Sequence, residues 1–230
     1  MAKRPGGEMA TRPLHFIWVV DSSGSMAGEK IQSLNFAIKE SIPEMRRVAD
    51  ENPNASVLVR AIRFSSGAQW HISQPVDVND FKWNDIAADG VTDMGAAMSL
   101  LADALKVSVL EERGLPPVLV LLSDGAATDD FDSGLKKLMT ENWAKKAARI
   151  AIAIGDDADH EPLQKFIGNT EQKPLQANNA ATLVKFIKWA STAVVKSASQ
   201  PASTVAGANT NPGANVPLPT PPAPDGDGVW

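Results

Sequence analysis

Leu14-His15-Phe16-Ile17-Trp18-Val19-Val20-Asp21-Ser22-Ser23-Gly24-Ser25-Met26 is the stretch on which the reading of this chain turns. Leu14 to Val20 is apolar but for His15 and too short for a helix, so it reads as a buried strand. Asp21 to Ser25 are turn and capping residues, with Gly24 where the backbone must bend. Beyond them Ile31, Leu34, Ile38, Ile42 and Met45 recur three and four apart, the spacing of a helix with one buried face. Strand, polar turn and helix in that order place Asp21, Ser23 and Ser25 in a strand-to-helix loop that can aim several oxygens at one point.

The same alternation continues along the chain. Strands are expected at Leu14–Val20, Ser56–Phe64, Ala68–Ile72, Pro117–Leu122, Arg149–Ile154 and Pro174–Ala177. Helices are expected at Lys30–Glu51, Met94–Arg113, Asp132–Lys146, Glu161–Gly168 and Ala181–Val195. Val118–Leu122 and Ile150–Ile154 are almost wholly apolar, as strands covered on both faces must be. The expected fold class is α/β: a doubly wound, mostly parallel six-stranded sheet with helices on both faces. Pro43 should kink the first helix or split it near Glu40. Met94, Ala97, Met98, Leu101, Leu105 and Val109 form the expected core face of the second helix. Residues 1–12 read as a leader without fixed structure, 13–196 as one domain, and 197–230 as a disordered tail dense in Pro, Ala, Asn, Gly, Ser and Thr.

Composition narrows the function classes. The 230 residues include no cysteine, which excludes disulfides, zinc-thiolate sites and thiol nucleophiles. A net charge of −5 and the lack of a Lys/Arg stripe argue against a nucleic-acid partner. No apolar run approaches the roughly 20 residues of a membrane span, and the basic Lys3 and Arg4 are not followed by a signal-peptide core. A soluble, cytoplasmic protein is the expectation. Neither a Gly-x-Ser-x-Gly elbow nor a Gly-x-x-x-x-Gly-Lys-Ser/Thr loop is present, so no enzyme activity is expected.

Thr92, in Gly90-Val91-Thr92-Asp93-Met94-Gly95, precedes the second long helix, and Asp124 ends the strand that closes with Leu121-Leu122-Ser123. In an open α/β sheet, ligands gather at the carboxyl ends of the strands. Asp21, Ser23, Ser25, Thr92 and Asp124 therefore read together as one all-oxygen site. Such a donor set suits magnesium first, with manganese or calcium as alternatives, rather than zinc or copper. Few carboxylates in the set leave the ion electrophilic and able to accept an acidic side chain from another protein.

At these five positions the chain resembles the von Willebrand factor type A family, whose metal-ion-dependent adhesion site is Asp-x-Ser-x-Ser with a distant Thr and Asp. The resemblance covers roughly residues 12 to 196. It implies that the two serines and the threonine reach the metal, and that the aspartates coordinate directly or through water. Residues 90–97, Leu122-Ser123-Asp124-Gly125 with Thr128-Asp129-Asp130, 151–159 and 186–191 look more narrowly like the bacterial TerY-type branch. That likeness implies an adaptor in stress-response or tellurite-resistance signalling, partnered by a Ser/Thr protein kinase and a metal-dependent protein phosphatase. Val91 and Ala126-Ala127 depart from the branch pattern without touching the five site positions.

Two other readings stay open at this stage: a structural subunit whose metal stiffens loops, and a magnesium-dependent phosphohydrolase with Asp21 as nucleophile. The latter lacks a second acid at position 23, and no Lys or Arg is evident beside the aspartate. Asp129 and Asp130 are candidate partner contacts on an acidic rim, or else ordinary caps. Trp230, which ends Asp225-Gly226-Asp227-Gly228-Val229-Trp230, is a candidate linear-motif anchor. His15, His71 and His160 show no ligand spacing.

Overall fold

The structure, a computed structural model, describes residues 11–52, 55–110, 113–199 and 218–225. Six strands, β1 (Arg12–Asp21), β2 (Ala55–Ser65), β3 (Gly67–Asp77), β4 (Val118–Ser123), β5 (Ala148–Ile154) and β6 (Leu175–Ala177), form one sheet in the order β3-β2-β1-β4-β5-β6. β3 pairs antiparallel with β2, and the other neighbours pair in parallel. The helices are α1 (Glu29–Asp50), α2 (Met94–Ala104), α3 (Phe131–Leu138), α4 (Asn142–Lys146), α5 (His160–Ile167) and α6 (Ala180–Ala198), with a 3-10 turn at Gly24–Met26. The expected α/β class is what forms.

Alternation along β1 divides the core. Leu14, Phe16, Trp18 and Val20 face α1 and α6, whereas Ile17 and Val19 face α2, α3 and α5. All six are fully buried, each contributing roughly 1.5–3 kcal/mol of transfer free energy. Among the described residues no helix is long and apolar enough to cross a membrane.

Several boundaries differ from expectation, each for a local reason. α1 runs unbroken through Pro43, so the expected split does not occur. Its face from Ile31 through Leu34, Ile38, Ile42 and Met45 to Val48 is buried in one core, and that packing offsets the roughly 3 kcal/mol a mid-helix proline costs. α2 stops at Ala104, and Val109, expected in the core, is 54% exposed. The Leu105 amide is shared between Leu101 and Ala102 carbonyls, which tightens the last turn and ends the helical period there. The helix expected over Asp132–Lys146 is two, α3 and α4. At the break the Thr140 hydroxyl bonds the Lys137 carbonyl at 2.7 Å, competing with helix continuation. β3 extends to Asp77 through Pro75, which an edge strand tolerates. α6 ends at Ala198, and from the segment read as tail, residues 218–225 are seated on the domain with Leu218 against the α1/α6 core.

His15 is only 6% exposed, and burial, followed by the nearby Arg60 charge, pushes its imidazole down from 6.5 to about 4. The unfolded chain binds this proton near its ordinary value and the folded chain only near 4, so His15 costs stability increasingly as pH falls through that window. Its full contribution is at most about 3 kcal/mol. Thermal melting of wild type should therefore drop more steeply between pH 7 and 4.5 than that of His15→Gln. Parallel curves for the two proteins would refute this account.

Candidate metal-ion site

From β1 the chain proceeds to β2 on one side, and from β4 it proceeds to β5 on the other, so a crevice opens at the carboxyl ends of the β1/β4 pair. Asp21 closes β1 and Ser123 closes β4, with Asp124 next in the chain. The Asp21 carboxylate is fully buried. One oxygen accepts the Ser23 N–H at 2.8 Å and the other accepts the Ser123 hydroxyl, so it joins the two strand ends and sets the Asp21–Ser25 turn. Burial holds its carboxyl above the usual range despite these hydrogen bonds from Ser123 and Ser23, and the Asp124 charge adds to the effect.

Backbone hydrogen bonds lock the three loops together. Gly24 N–H donates to Gly90 O at 3.0 Å, and Asp89 N–H donates to Ser22 O at 2.8 Å. A side chain at Gly24 would press on that Gly90 carbonyl at 3.2 Å. Thr92 is held at both ends of its peptide by Thr128: its N–H donates to the Thr128 hydroxyl at 3.0 Å and its carbonyl accepts the Thr128 N–H at 2.9 Å. The Thr128 hydroxyl donates in turn to Asp93 at 3.1 Å. Asp129 accepts from the Gly95 and Ala96 amides, both at 2.8 Å, capping the α2 N-terminus. Gly95 permits this approach, because a Cβ there would sit 2.5 Å from the Asp130 carbonyl.

The side chains of Ser23, Ser25 and Asp124 meet directly, the Asp21 carboxylate bonds Ser23, and Thr92 lies across Gly125 from Ser25. Ser23 Oγ lies 3.0 Å from Ser25 Oγ, and Ser25 Oγ donates to Asp124 Oδ1 at 2.7 Å. Thr92 completes the ring: a Cβ placed on Gly125 would lie 3.5 Å from Thr92 Oγ1 and 3.8 Å from Ser25 Oγ, so the glycine keeps the space between them clear. Asp21 stands behind the ring. Three hydroxyls with a carboxylate in front and a buried one behind fit a hard divalent cation, and Asp21's resistance to ionising is what such a cation would relieve.

Sequence reading missed Lys30. Its ammonium donates to Asp124 Oδ2 at 2.7 Å and to Asp157 at 3.3 Å, and its side chain is 15% exposed. Burial lowers its proton affinity, but the bonds from Asp124 and Asp157 outweigh this and hold the ammonium above its ordinary value. Gly155, with φ +93°, makes room, since a Cβ there would meet Lys30 Nζ at 2.9 Å. One signal was in the sequence: a lysine in the first turn of a helix opposes the helix dipole and calls for a partner. Lys30 meets Asp124 and Asp157, whereas the partners of the Asp21 carboxylate are Ser23 and Ser123.

The acidic rim is largely engaged in structure. Asp129 caps α2, Asp130 caps α3 through the Ser133 N–H at 3.0 Å, and Asp159 caps α5 through the Glu161 N–H at 2.9 Å. Asp132 pairs with Lys165 at 3.0 Å. Trp230 lies outside the described residues.

The model of the von Willebrand factor type A domain matches residues 16–189, and the chain belongs to this family. Domains of this family often bind a metal ion at the adhesion-site motif and mediate protein interactions. Comparison with curated proteins gave no significant match. Among solved structures, the chain is similar to the ArnB paralog VWA2 from Sulfolobus acidocaldarius, with 18% identity and a TM-score of 0.58 over 76% of this chain and 44% of that one. It is also similar to proximal thread matrix protein 1 of the mussel byssus, solved with a zinc-occupied MIDAS motif, at 17% identity and TM-score 0.58 over 80% and 48% of the two chains. The PilB minor pilin of Streptococcus sanguinis matches at 14% identity and TM-score 0.58 over 85% and 64%. This chain thus spans 44% to 64% of the length of these proteins, and the likeness establishes the fold.

Lys30 places a fixed positive charge against the site's front carboxylate. Replacing it with methionine should tighten magnesium binding on the order of tenfold or more in calorimetric titration, because a like charge a few ångströms from the cation is removed. Unchanged or weaker affinity would show that Lys30 instead organises Asp124 for the metal.

Proposed function

We propose that this chain is a metal-ion-dependent protein-binding adaptor, in which a partner's Asp or Glu completes the coordination of a divalent cation. The observation that carries the reading is the convergence of Ser23, Ser25 and Thr92 hydroxyls with Asp124 on locked loops at the β1/β4 crevice. Ser23, Ser25, Thr92 and Asp124 would hold the ion, magnesium first and manganese or calcium as alternatives, with Asp21 positioning Ser23 from behind. When bound, the ion supplies a hard electrophilic contact for a carboxylate oxygen. The zinc held at the corresponding motif in the mussel protein supports a divalent ion here.

Burial argues against the phosphohydrolase alternative. Asp21 is 0% exposed and both its oxygens already accept hydrogen bonds, so it is not presented to a substrate. The finer assignment is a cytoplasmic adaptor working with a Ser/Thr kinase and a metal-dependent phosphatase in stress or tellurite-resistance signalling. It rests on the sequence resemblance to the TerY-type branch. Asp129 and Asp130 at the rim, and Trp230 at the terminus, are assigned as partner contacts on sequence grounds.

Affinity capture from native lysate with wild type in magnesium, wild type in EDTA, and Asp21→Ala or Thr92→Ala in magnesium tests the reading. Partners should appear only with wild type plus magnesium; Thr92→Ala should keep its helix content and melt within a few degrees of wild type, whereas Asp21→Ala also loses the buried hydrogen bonds to Ser23 and Ser123 and should be the less stable of the two. Equal capture in EDTA would reduce the ion to a loop stiffener, as would a collapsed fold of Thr92→Ala. Deleting Val229 and Trp230 should lower capture without moving the melting temperature; undiminished capture removes Trp230 from the partner surface.

A further inference from the structure

A second groove lies at the opposite end of β5 from Gly155 and the metal site. β6 covers β5 only from Ile152 to Ile154, so the edge at Arg149–Ala151 is left to one wall of a cavity of about 370 Å³. Ile167, Leu175 and Trp189 supply apolar surface on the domain side, and Leu218–Pro221 form the facing part of its wall. Leu218 and Trp189 both pack on the α1/α6 core.

The segment that covers the groove is unlike the rest of the fold. Four of the eight residues in Leu218-Pro219-Thr220-Pro221-Pro222-Ala223-Pro224-Asp225 are proline, which fixes φ and predisposes the run to an extended polyproline II form. Its far end is clamped at the start of α6. Asp225 pairs with Lys185 at 2.6 Å, its N–H donates to Thr182 Oγ1 at 3.1 Å, and its carbonyl accepts from Thr182 Oγ1 at 3.3 Å and from Asn179 Nδ2 at 3.4 Å. Leu218–Pro221 beside Trp189 and Asp225 beside Thr182 make the segment antiparallel to α6. Proline-rich segments dock against aromatic side chains, and here Trp189 supplies the aromatic surface while Lys185 pairs with the acidic end of the run.

We propose that this groove is a second protein-binding site, specific for extended proline-rich segments ending in an acidic residue, and that Leu218–Asp225 is its resident occupant. A partner segment of the same chemistry enters by displacing the resident one. Tethering gives the resident an effective concentration on the order of millimolar, so an external segment of equal intrinsic affinity is excluded until the clamp is released. This site is independent of the metal.

The test uses the full chain and a fluorescent peptide, Val-Pro-Leu-Pro-Thr-Pro-Pro-Ala-Pro-Asp, the sequence of residues 216–225. Fluorescence anisotropy should show at least tenfold tighter binding to the double variant Leu218→Asp/Asp225→Lys than to wild type, equally in EDTA and magnesium. Adding Lys185→Glu to that variant should weaken the peptide, and a peptide ending in lysine should restore binding. The folded state is checked by circular dichroism and melting temperature, which should stay within a few degrees because Leu218 is only partly buried and Asp225 is exposed. Equal binding to wild type and the released variant would overturn the proposal, as would loss of binding that the lysine peptide fails to rescue. A concentration-dependent doubling of mass of wild type in light scattering, abolished by the double variant, would assign the groove to the tail of a second copy and overturn the partner reading.

Discussion

Everything at the functional end of this molecule depends on one buried carboxylate. Asp21 sits at the end of the central strand with no exposure to solvent, accepting the Ser23 amide on one oxygen and the Ser123 hydroxyl on the other. A carboxyl held above its usual range by burial is costly to keep ionised, and the hydrogen bonds only partly offset that cost. What the cost secures is geometry. β1 and β4 are joined across the crevice where strand order reverses, and the Ser23–Ser25 turn is held over it.

The other two loops obey the same economy of backbone satisfaction. Thr92 has both its amide and carbonyl tied to Thr128, and Asp129 occupies two orphan amides at the start of α2. Gly95 and Gly134 let the α2 and α3 backbones approach where any side chain would collide. Three segments distant in sequence consequently form one rigid oxygen-lined rim. Lys30 closes that rim with an ammonium cradled over Gly155 and paired with Asp124.

At the other end of the sheet, short pairing of β6 leaves part of β5 to be covered by something other than a strand. The proline-rich Leu218–Asp225 run walls the same cavity as Trp189 and anchors on Lys185 and Thr182. The fold thus presents chemically unrelated surfaces at its two ends, one ionic and one apolar with a charged flank.

Much of this was legible in the chain itself. The run Leu14–Val20, the helical spacing from Ile31 to Met45, and the apolar strands at Val118–Leu122 and Ile150–Ile154 determine an α/β sheet, because periodicity directly reports which faces are buried. Asp21, Ser23, Ser25 and Asp124 could be singled out by residue type at or just after strand ends, and Thr92 just before a helix. Local signals failed where tertiary packing overrode them. α1 survives Pro43 because its whole face is buried, whereas α2 ends before Val109 although the period continues. Tertiary structure alone decided that Lys30 meets Asp124 across 94 residues, that Thr128 holds Thr92, and that Leu218–Asp225 returns to α6. Such contacts join segments far apart in the chain, and their free energy comes from desolvation and charge pairing that no local pattern encodes.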